Sequence, residues 1–72
     1  MKTTYEKSVD AAYIFLKPNI NFGEVKKTVL AEGKAFINLD FDQDNRLVGI
    51  EILSASRTLS SEVLKQAARI DK

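Results

Sequence analysis

The stretch INLDFDQDNRLVGIEI, residues 37–52, decides the fold of this chain. Large apolar residues occupy every second position in each half of it: Ile37, Leu39 and Phe41, then Val48, Ile50 and Ile52. Asparagine, aspartate, glycine and glutamate stand between them. A period of two over two short runs predicts a β-hairpin whose arms each bury one face.

The turn of this hairpin is predicted at Asp44-Asn45, because both residue types tolerate the left-handed conformation that a two-residue type I′ turn requires. Such a loop pairs Phe41 with Val48, Leu39 with Ile50 and Ile37 with Ile52. A slip of one residue would turn the apolar set to the other face, so the pattern specifies the register strongly. The same register places Asp40 and Glu51 diagonally adjacent on the face opposite the core.

Two further strands are predicted before the hairpin. Residues 11–16 are apolar on both alternating faces and are rich in aromatic and branched side chains, which indicates a strand covered on both sides, near the sheet centre. Residues 17–23 contain Pro, Asn and Gly and predict a loop. Residues 25–30 predict a returning strand, with a short helical segment as the alternative, and Glu32-Gly33 predicts the next reversal.

After the hairpin the period changes to that of a helix. Ser60 is a suitable N-cap, Leu59 and Leu64 form a hydrophobic staple, and Val63, Leu64, Ala67 and Ala68 make an apolar stripe. We therefore expect one domain over residues 1–72 with an α+β fold. It consists of an antiparallel β-meander of about four strands, residues 3–54, and one C-terminal α-helix, residues 60–70, packed on one face.

Composition restricts the classes of function. The 72 residues include no cysteine and no histidine, which removes disulfides, thiolate and imidazole chemistry, and most transition-metal sites. The net charge is +1 with both signs interspersed, so no nucleic-acid partner is expected. No apolar run approaches the length of a membrane span and no leader is recognised, which predicts no membrane association and a cytoplasmic location. No cofactor is expected.

Several motifs resemble the YuzE-like family of small bacterial proteins, a domain of unknown function. They are Tyr5-Glu6, Asp10-Ala11-Ala12-Tyr13-Ile14, the segment 40–53 with Val48-Gly49-Ile50-Glu51-Ile52-Leu53 as its most specific part, and Ala55-Ser56. Two positions depart from the pattern: Glu6 stands where aspartate is usual, and Asn45 stands where glycine is usual. The resemblance implies a fold and a bacterial cytoplasmic setting. It brings no established activity, although small families of this kind are suspected of being antitoxin-like or partner-binding modules.

The acids of the hairpin match the spacing of a calcium loop, with Asp40, Asp42 and Asp44 at positions one, three and five and Glu51 at position twelve. The sixth position of that loop requires glycine, where this chain has Asn45. Strands rather than helices flank the segment, so Glu51 is carried away from the turn. We expect an acidic solvated turn, and a metal- or ligand-binding site formed by these four carboxylates is the alternative.

No residue pattern predicts catalysis. The serines have no histidine or obviously placed lysine to activate them, which favours a non-enzymatic protein. Asp10 precedes a strand, and an aspartate there is expected to accept hydrogen bonds from nearby backbone N–H groups.

The apolar character of residues 11–16 on both faces predicts association. One helix covers one face, so Tyr13 and Phe15 on the other need a curled sheet, the loop with Ile20 and Phe22, or another subunit to cover them. We expect these four residues to form the interface of a homo-oligomer, a dimer. The sequence thus predicts a self-associating, antitoxin-like interaction module that also binds a protein partner.

Overall fold

A computed structural model describes residues 1–31 and 36–70 of the chain. Six strands within these residues form one sheet, with two short helices after the fifth strand. The elements in chain order are β1 (Lys2–Glu6), a 3-10 turn (Lys7–Val9), β2 (Ala11–Phe15), β3 (Lys27–Leu30), β4 (Ile37–Phe41), β5 (Leu47–Leu53), α1 (Ala55–Thr58), α2 (Ser61–Gln66) and β6 (Ala68–Arg69).

The strand order across the sheet is β3-β4-β5-β2-β1-β6. All neighbours are antiparallel except β1 and β6, which are parallel. After β2 the chain crosses to the far edge of the sheet to form β3, so the strands do not follow one another as a meander. The predicted α+β class is confirmed, whereas the four-stranded antiparallel meander with a single helix is wrong.

The central strands follow the predicted pattern. β2 lies between β5 and β1, as the two-sided apolar run indicated. In the hairpin Ile37 pairs with Ile52 and Leu39 with Ile50, which confirms the predicted register over most of its length. The predicted strand at residues 25–30 is also present, although it begins only at Lys27. The reversal predicted at Glu32-Gly33 lies outside the described residues.

The hairpin turn is one residue longer than predicted. The Asn45 N–H donates to the Asp42 carbonyl oxygen and the Asp42 N–H to the Arg46 carbonyl oxygen, each at 3.0 Å, so the loop has three residues rather than two. Phe41 consequently pairs with Leu47 instead of Val48, and the register shifts between Asp40 and Phe41. A type I turn closed by a left-handed residue is the usual three-residue solution. Asn45 supplies that residue, with φ of 61°.

The C-terminal helix is shorter than predicted. Ser60 caps it as expected, its Oγ accepting the Val63 N–H at 3.3 Å. The helix ends at Gln66, because Ala67 adopts extended dihedral angles and the chain then runs beside β1 as β6. Short helices are marginal in water without tertiary support, whereas the edge of β1 offers backbone partners to the residues that follow. The Ile70 N–H donates to the Tyr5 carbonyl oxygen at 3.1 Å.

Both helices pack on the same face of the sheet, which we call the covered face. Its core contains small or aromatic buried residues with half-buried aliphatic residues around them: Tyr5, Ala12, Ile52, Ala55 and Ala67, then Ile14, Ile37, Ile50, Leu59 and Leu64. Leu64 and Ala67 of the predicted stripe lie here, whereas Val63 and Ala68 are exposed. Among the described residues no helix is long and apolar enough to cross a membrane.

The left-handed conformation of Asn45 generates a stability prediction. We expect Asn45→Ala to lower the free energy of unfolding by about 1 kcal/mol, because alanine lacks the local hydrogen bonds that let asparagine adopt this conformation. Asn45→Gly is the matched control and should keep wild-type stability, since glycine adopts positive φ without a steric penalty. Urea unfolding at one fixed protein concentration measures both. Equal stability of the alanine and glycine variants would contradict the turn assignment.

Candidate functional site

The face of the sheet opposite the helices is the candidate site, and we call it the open face. Its residues follow from the strand registers, because side chains on paired positions point to the same side. They are Lys2, Thr4 and Glu6 on β1, Ala11, Tyr13 and Phe15 on β2, Gly49, Glu51 and Leu53 on β5, Asn38 and Asp40 on β4, and Thr28 and Leu30 on β3. Neither described helix packs on this face.

Tyr13 is the central side chain of the open face. Its ring lies across β5 at Gly49, and its hydroxyl donates a hydrogen bond of 2.7 Å to Oδ2 of Asp40 on β4. A Cβ atom at Gly49 would lie 2.1 Å from the Tyr13 Oη and 2.5 Å from its Cζ. The glycine is therefore needed for space, since any side chain would displace the tyrosine ring.

The carboxylates of the open face are held by neutral donors. Asp40 also accepts a hydrogen bond of 2.7 Å from the Thr28 hydroxyl, and Glu51 accepts one of 2.9 Å from the Asn38 side-chain amide. Among the described residues neither carboxylate forms an ion pair with a lysine or arginine. The predicted adjacency of Asp40 and Glu51 is present. Asp40 pairs with Gly49 and Asn38 pairs with Glu51, so the two carboxylates are diagonal neighbours on β4 and β5.

The Tyr13 hydroxyl stays protonated throughout the physiological pH range. Burial, and after it the hydrogen bond to Asp40, raises the pKa of the Tyr13 hydroxyl well above its ordinary value of 10.0. The nearby charges of Asp40 and Glu51 act in the same direction. Tyr13 thus serves as a fixed hydrogen-bond donor and is unsuited to act as a base.

Aromatic and apolar groups complete the open face. The rings of Tyr13 and Phe15 meet edge to face with centroids 4.9 Å apart, and the Lys2 ammonium lies 5.4 Å from the Phe15 centroid. Leu53 is 37% exposed at the other end of the face. Beside it is a dimple of about 140 Å³, lined by Thr4, Glu6, Ala11, Ala12, Tyr13, Glu51 and Ile70.

Two of the four predicted interface residues lie on the open face, namely Tyr13 and Phe15. Ile20 and Phe22 lie in the loop between β2 and β3, outside the open face as the strand registers define it. Phe22 is fully exposed and lines a wide cleft of about 470 Å³ beside the hairpin turn, whereas Ile20 is half-buried.

The four predicted metal-ligating carboxylates are already engaged within the chain and do not converge. Oδ1 of Asp42 accepts the backbone N–H groups of Asp44 and Arg46 at 2.9 and 3.0 Å, and Asp44 forms an ion pair of 2.8 Å with Arg46. The hydrogen bond from the Arg46 N–H is the main reason why the pKa of Asp42 is lowered. Asp40 and Glu51 lie on the open face. Among the described residues no group of three or more acids could hold a metal ion.

A second polar cluster joins the β1–β2 turn to α1. Asp10 adopts a left-handed conformation with φ of 52°, and its carboxylate accepts hydrogen bonds from the Ser56 hydroxyl at 2.7 Å, the Ser56 N–H at 3.0 Å and the Tyr5 hydroxyl at 2.7 Å. The Asp10 carbonyl oxygen accepts the Ala55 N–H at 2.9 Å. Asp10 thus caps α1 from a distance, whereas the sequence indicated only a local role.

Sequence reasoning missed three contributors to these clusters. Gly49 carried a signal, because a glycine inside a strand often marks close approach of another group. Ser56 lies 46 residues from Asp10, and Thr28 lies 12 residues from Asp40, so no local pattern could connect either pair.

A side chain introduced at Gly49 tests the contact between the Tyr13 ring and β5. We expect Gly49→Ala to lower the free energy of unfolding by about 1–3 kcal/mol, because the new methyl group displaces the Tyr13 ring and breaks its bond to Asp40. In a Tyr13→Ala background the same change should cost much less. A double-mutant cycle by urea unfolding measures the difference, and an equal cost in both backgrounds would refute the contact.

The Asp10 cluster predicts a pH dependence. Hydrogen bonds from the hydroxyl groups of Ser56 and Tyr5 lower the pKa of Asp10 below its ordinary value of 3.8. Its contribution to stability is therefore complete above that value and is lost as the pH falls through the lower native pKa. Asp10→Asn, which keeps a residue tolerant of positive φ, should be less stable than wild type at about pH 6, with a gap that narrows toward about pH 3. A pH-independent gap would contradict the role of the charge.

Comparison with known proteins identifies one family whose model matches most of the chain. The family model described as "Protein of unknown function (DUF2283)" matches residues 2–56. These residues include every member of the two polar clusters, whereas Ile70, which lines the dimple, lies outside them. No curated protein and no solved structure gives a match. The matched region covers strands β1 to β5 and the start of α1. The chain therefore belongs to the DUF2283 family of proteins of unknown function.

Proposed function

We propose that this chain is a non-enzymatic protein-interaction module that acts as a homodimer. The observation that carries the proposal is the open face, which presents aromatic and aliphatic side chains and is covered by neither described helix. Tyr13, Phe15 and Leu53 form the apolar part of this face, and an apolar patch with a polar surround is typical of a protein interface. The second layer is absent from the described part of the chain, so a second copy is the simplest source of it.

The small core supports the same proposal. Among the described residues no large side chain is less than 2% exposed, and three of the six buried hydrophobic residues are alanines. A core this small leaves a chain of 72 residues marginally stable, and burial of the open face against a second copy would add to it.

The chemistry of the open face supports binding rather than catalysis. Tyr13 is held protonated, and Asp40 and Glu51 are each fixed by neutral donors. The chain has no histidine or cysteine to serve as nucleophile or general base. A metal-binding function is not favoured, because Asp42 and Asp44 are engaged by Arg46 within the turn, whereas Asp40 and Glu51 lie on the open face.

The motif residues support a finer placement within the family, in its YuzE-like bacterial branch. We propose that the protein is cytoplasmic and that the dimer binds a further protein, a toxin-like partner, in the manner of an antitoxin. This extension rests on the resemblance described above, and the dimer itself rests on the open face.

The dimer is the part of the proposal that is tested first. We expect size-exclusion chromatography with light scattering to give about twice the mass of 8.1 kDa at low micromolar concentration, with dissociation on dilution. The tag, if any, should be removed or placed at the C-terminus, because Lys2 belongs to the open face. A mass of one chain at all concentrations up to about 1 mM would overturn the proposed dimer.

A further inference from the structure

We infer that the second copy packs open face against open face, with the two-fold axis running parallel to the strands between β2 and β5. The inference rests on the proposed dimer and specifies its geometry. Stacked sheets keep their strands aligned within about 30° and lie about 10 Å apart, so a two-fold axis along the strands is compatible with ordinary sheet packing. Rotation about this axis exchanges β2 with β5 and β1 with β4.

The strand registers divide the open face into three levels, and this rotation preserves each level. Lys2, Phe15, Gly49 and Asp40 are paired in succession across β1, β2, β5 and β4 and form the first level. Thr4, Tyr13, Glu51 and Asn38 form the second. Glu6, Ala11 and Leu53 form the third, and Phe36 extends it because the Leu53 N–H donates to its carbonyl oxygen.

Charge complementarity supports this arrangement at the first level. Exchange of β1 with β4 places Lys2 opposite Asp40 of the second copy, and the symmetry repeats the contact. Lys2 is exposed and already lies over the Phe15 ring, toward the open face. Asp40 has only neutral donors among the described residues, so a lysine of the second copy supplies the opposite charge that a buried carboxylate needs.

Shape complementarity supports the same two-fold arrangement at the third level. Exchange of β2 with β5 places Leu53 opposite Ala11 of the second copy. Ala11 lines the dimple of about 140 Å³, where its small side chain leaves room, and Ile70 adds an apolar wall. Leu53 is a partly exposed apolar side chain at the matching position. Two such insertions related by symmetry form an apolar contact at one end of the interface.

The other symmetric way of stacking the faces is disfavoured by charge. A two-fold axis across the strands would keep each strand opposite its own copy and place Glu51 opposite Glu51. Two like charges brought together in a desolvated interface repel each other strongly. The axis parallel to the strands instead places Glu51 opposite Tyr13 of the second copy, which avoids that repulsion.

The test uses a charge at Leu53 and a matched change on the covered side of the molecule. We expect Leu53→Asp to raise the dimer dissociation constant at least about tenfold, because it replaces the apolar contact with Ala11 by a carboxylate placed near Glu6 and Glu51 of the second copy. Val63→Asp is the control: Val63 is 40% exposed, against 37% for Leu53, but lies on α2. It should leave dimerisation unchanged. Analytical ultracentrifugation measures the constants, and circular dichroism establishes that each variant is folded.

A second variant tests the geometry independently of the Leu53 contact. Lys2→Glu should weaken the dimer by a factor of about 5–10, since it places an acid opposite Asp40, and added salt should weaken wild type more than this variant. Lys65→Glu on α2 is its control. A wild-type dimer that neither Leu53→Asp nor Lys2→Glu weakens would overturn this geometry and point to the exposed edge strand β3, while the proposed dimer would stand. A monomeric wild-type protein would overturn both.

Discussion

The register of β4 against β5 is the constraint on which the rest of the structure depends. Ile37 opposite Ile52 places the large aliphatic side chains of the hairpin on the covered face, so Asp40 and Glu51 must lie on the other. A shift by one residue would bury both carboxylates under the helices, where they have no counter-charge. Because β5 also pairs with β2, the same register brings Tyr13 beside Gly49 and within reach of Asp40.

The parts of the fold that were predictable from sequence are those determined by local pattern. The two arms of the hairpin, the apolar central strand β2 and the Ser60 cap each carry their own signal, and each was found. The strands β1 and β6 were missed for a physical reason. The Lys2–Glu6 segment is mostly polar, and the Ala68–Arg69 pair forms a strand only because the edge of β1 supplies its backbone partners. Tertiary pairing overrode the helical pattern there.

In the candidate site, too, the features that follow from local pattern were predictable from the sequence. The register alone gave the adjacency of Asp40 and Glu51, and alternation gave the shared face of Tyr13 and Phe15. The bond between Tyr13 and Asp40 was missed, because it spans an intervening strand and depends on the missing side chain at Gly49. Some of the motif residues, namely Tyr5, Asp10, Tyr13, Gly49 and Ser56, have a structural reason of the same kind, since they take part in the two clusters. Motifs of this sort record long-range contacts that periodicity does not reveal.

The carboxylates of Asp40 and Glu51 on the open face already accept hydrogen bonds from side chains of the same chain. Among the described residues no buried side-chain polar atom lacks a hydrogen-bond partner. The donors to Asp40 among the described residues are the neutral hydroxyls of Tyr13 and Thr28, so the proposed second copy would add a cation there through Lys2. In the proposed dimer, a chain with no disulfide and a small core would gain stability from such a layer. Folding and association would then be coupled, and stability would depend on the protein concentration.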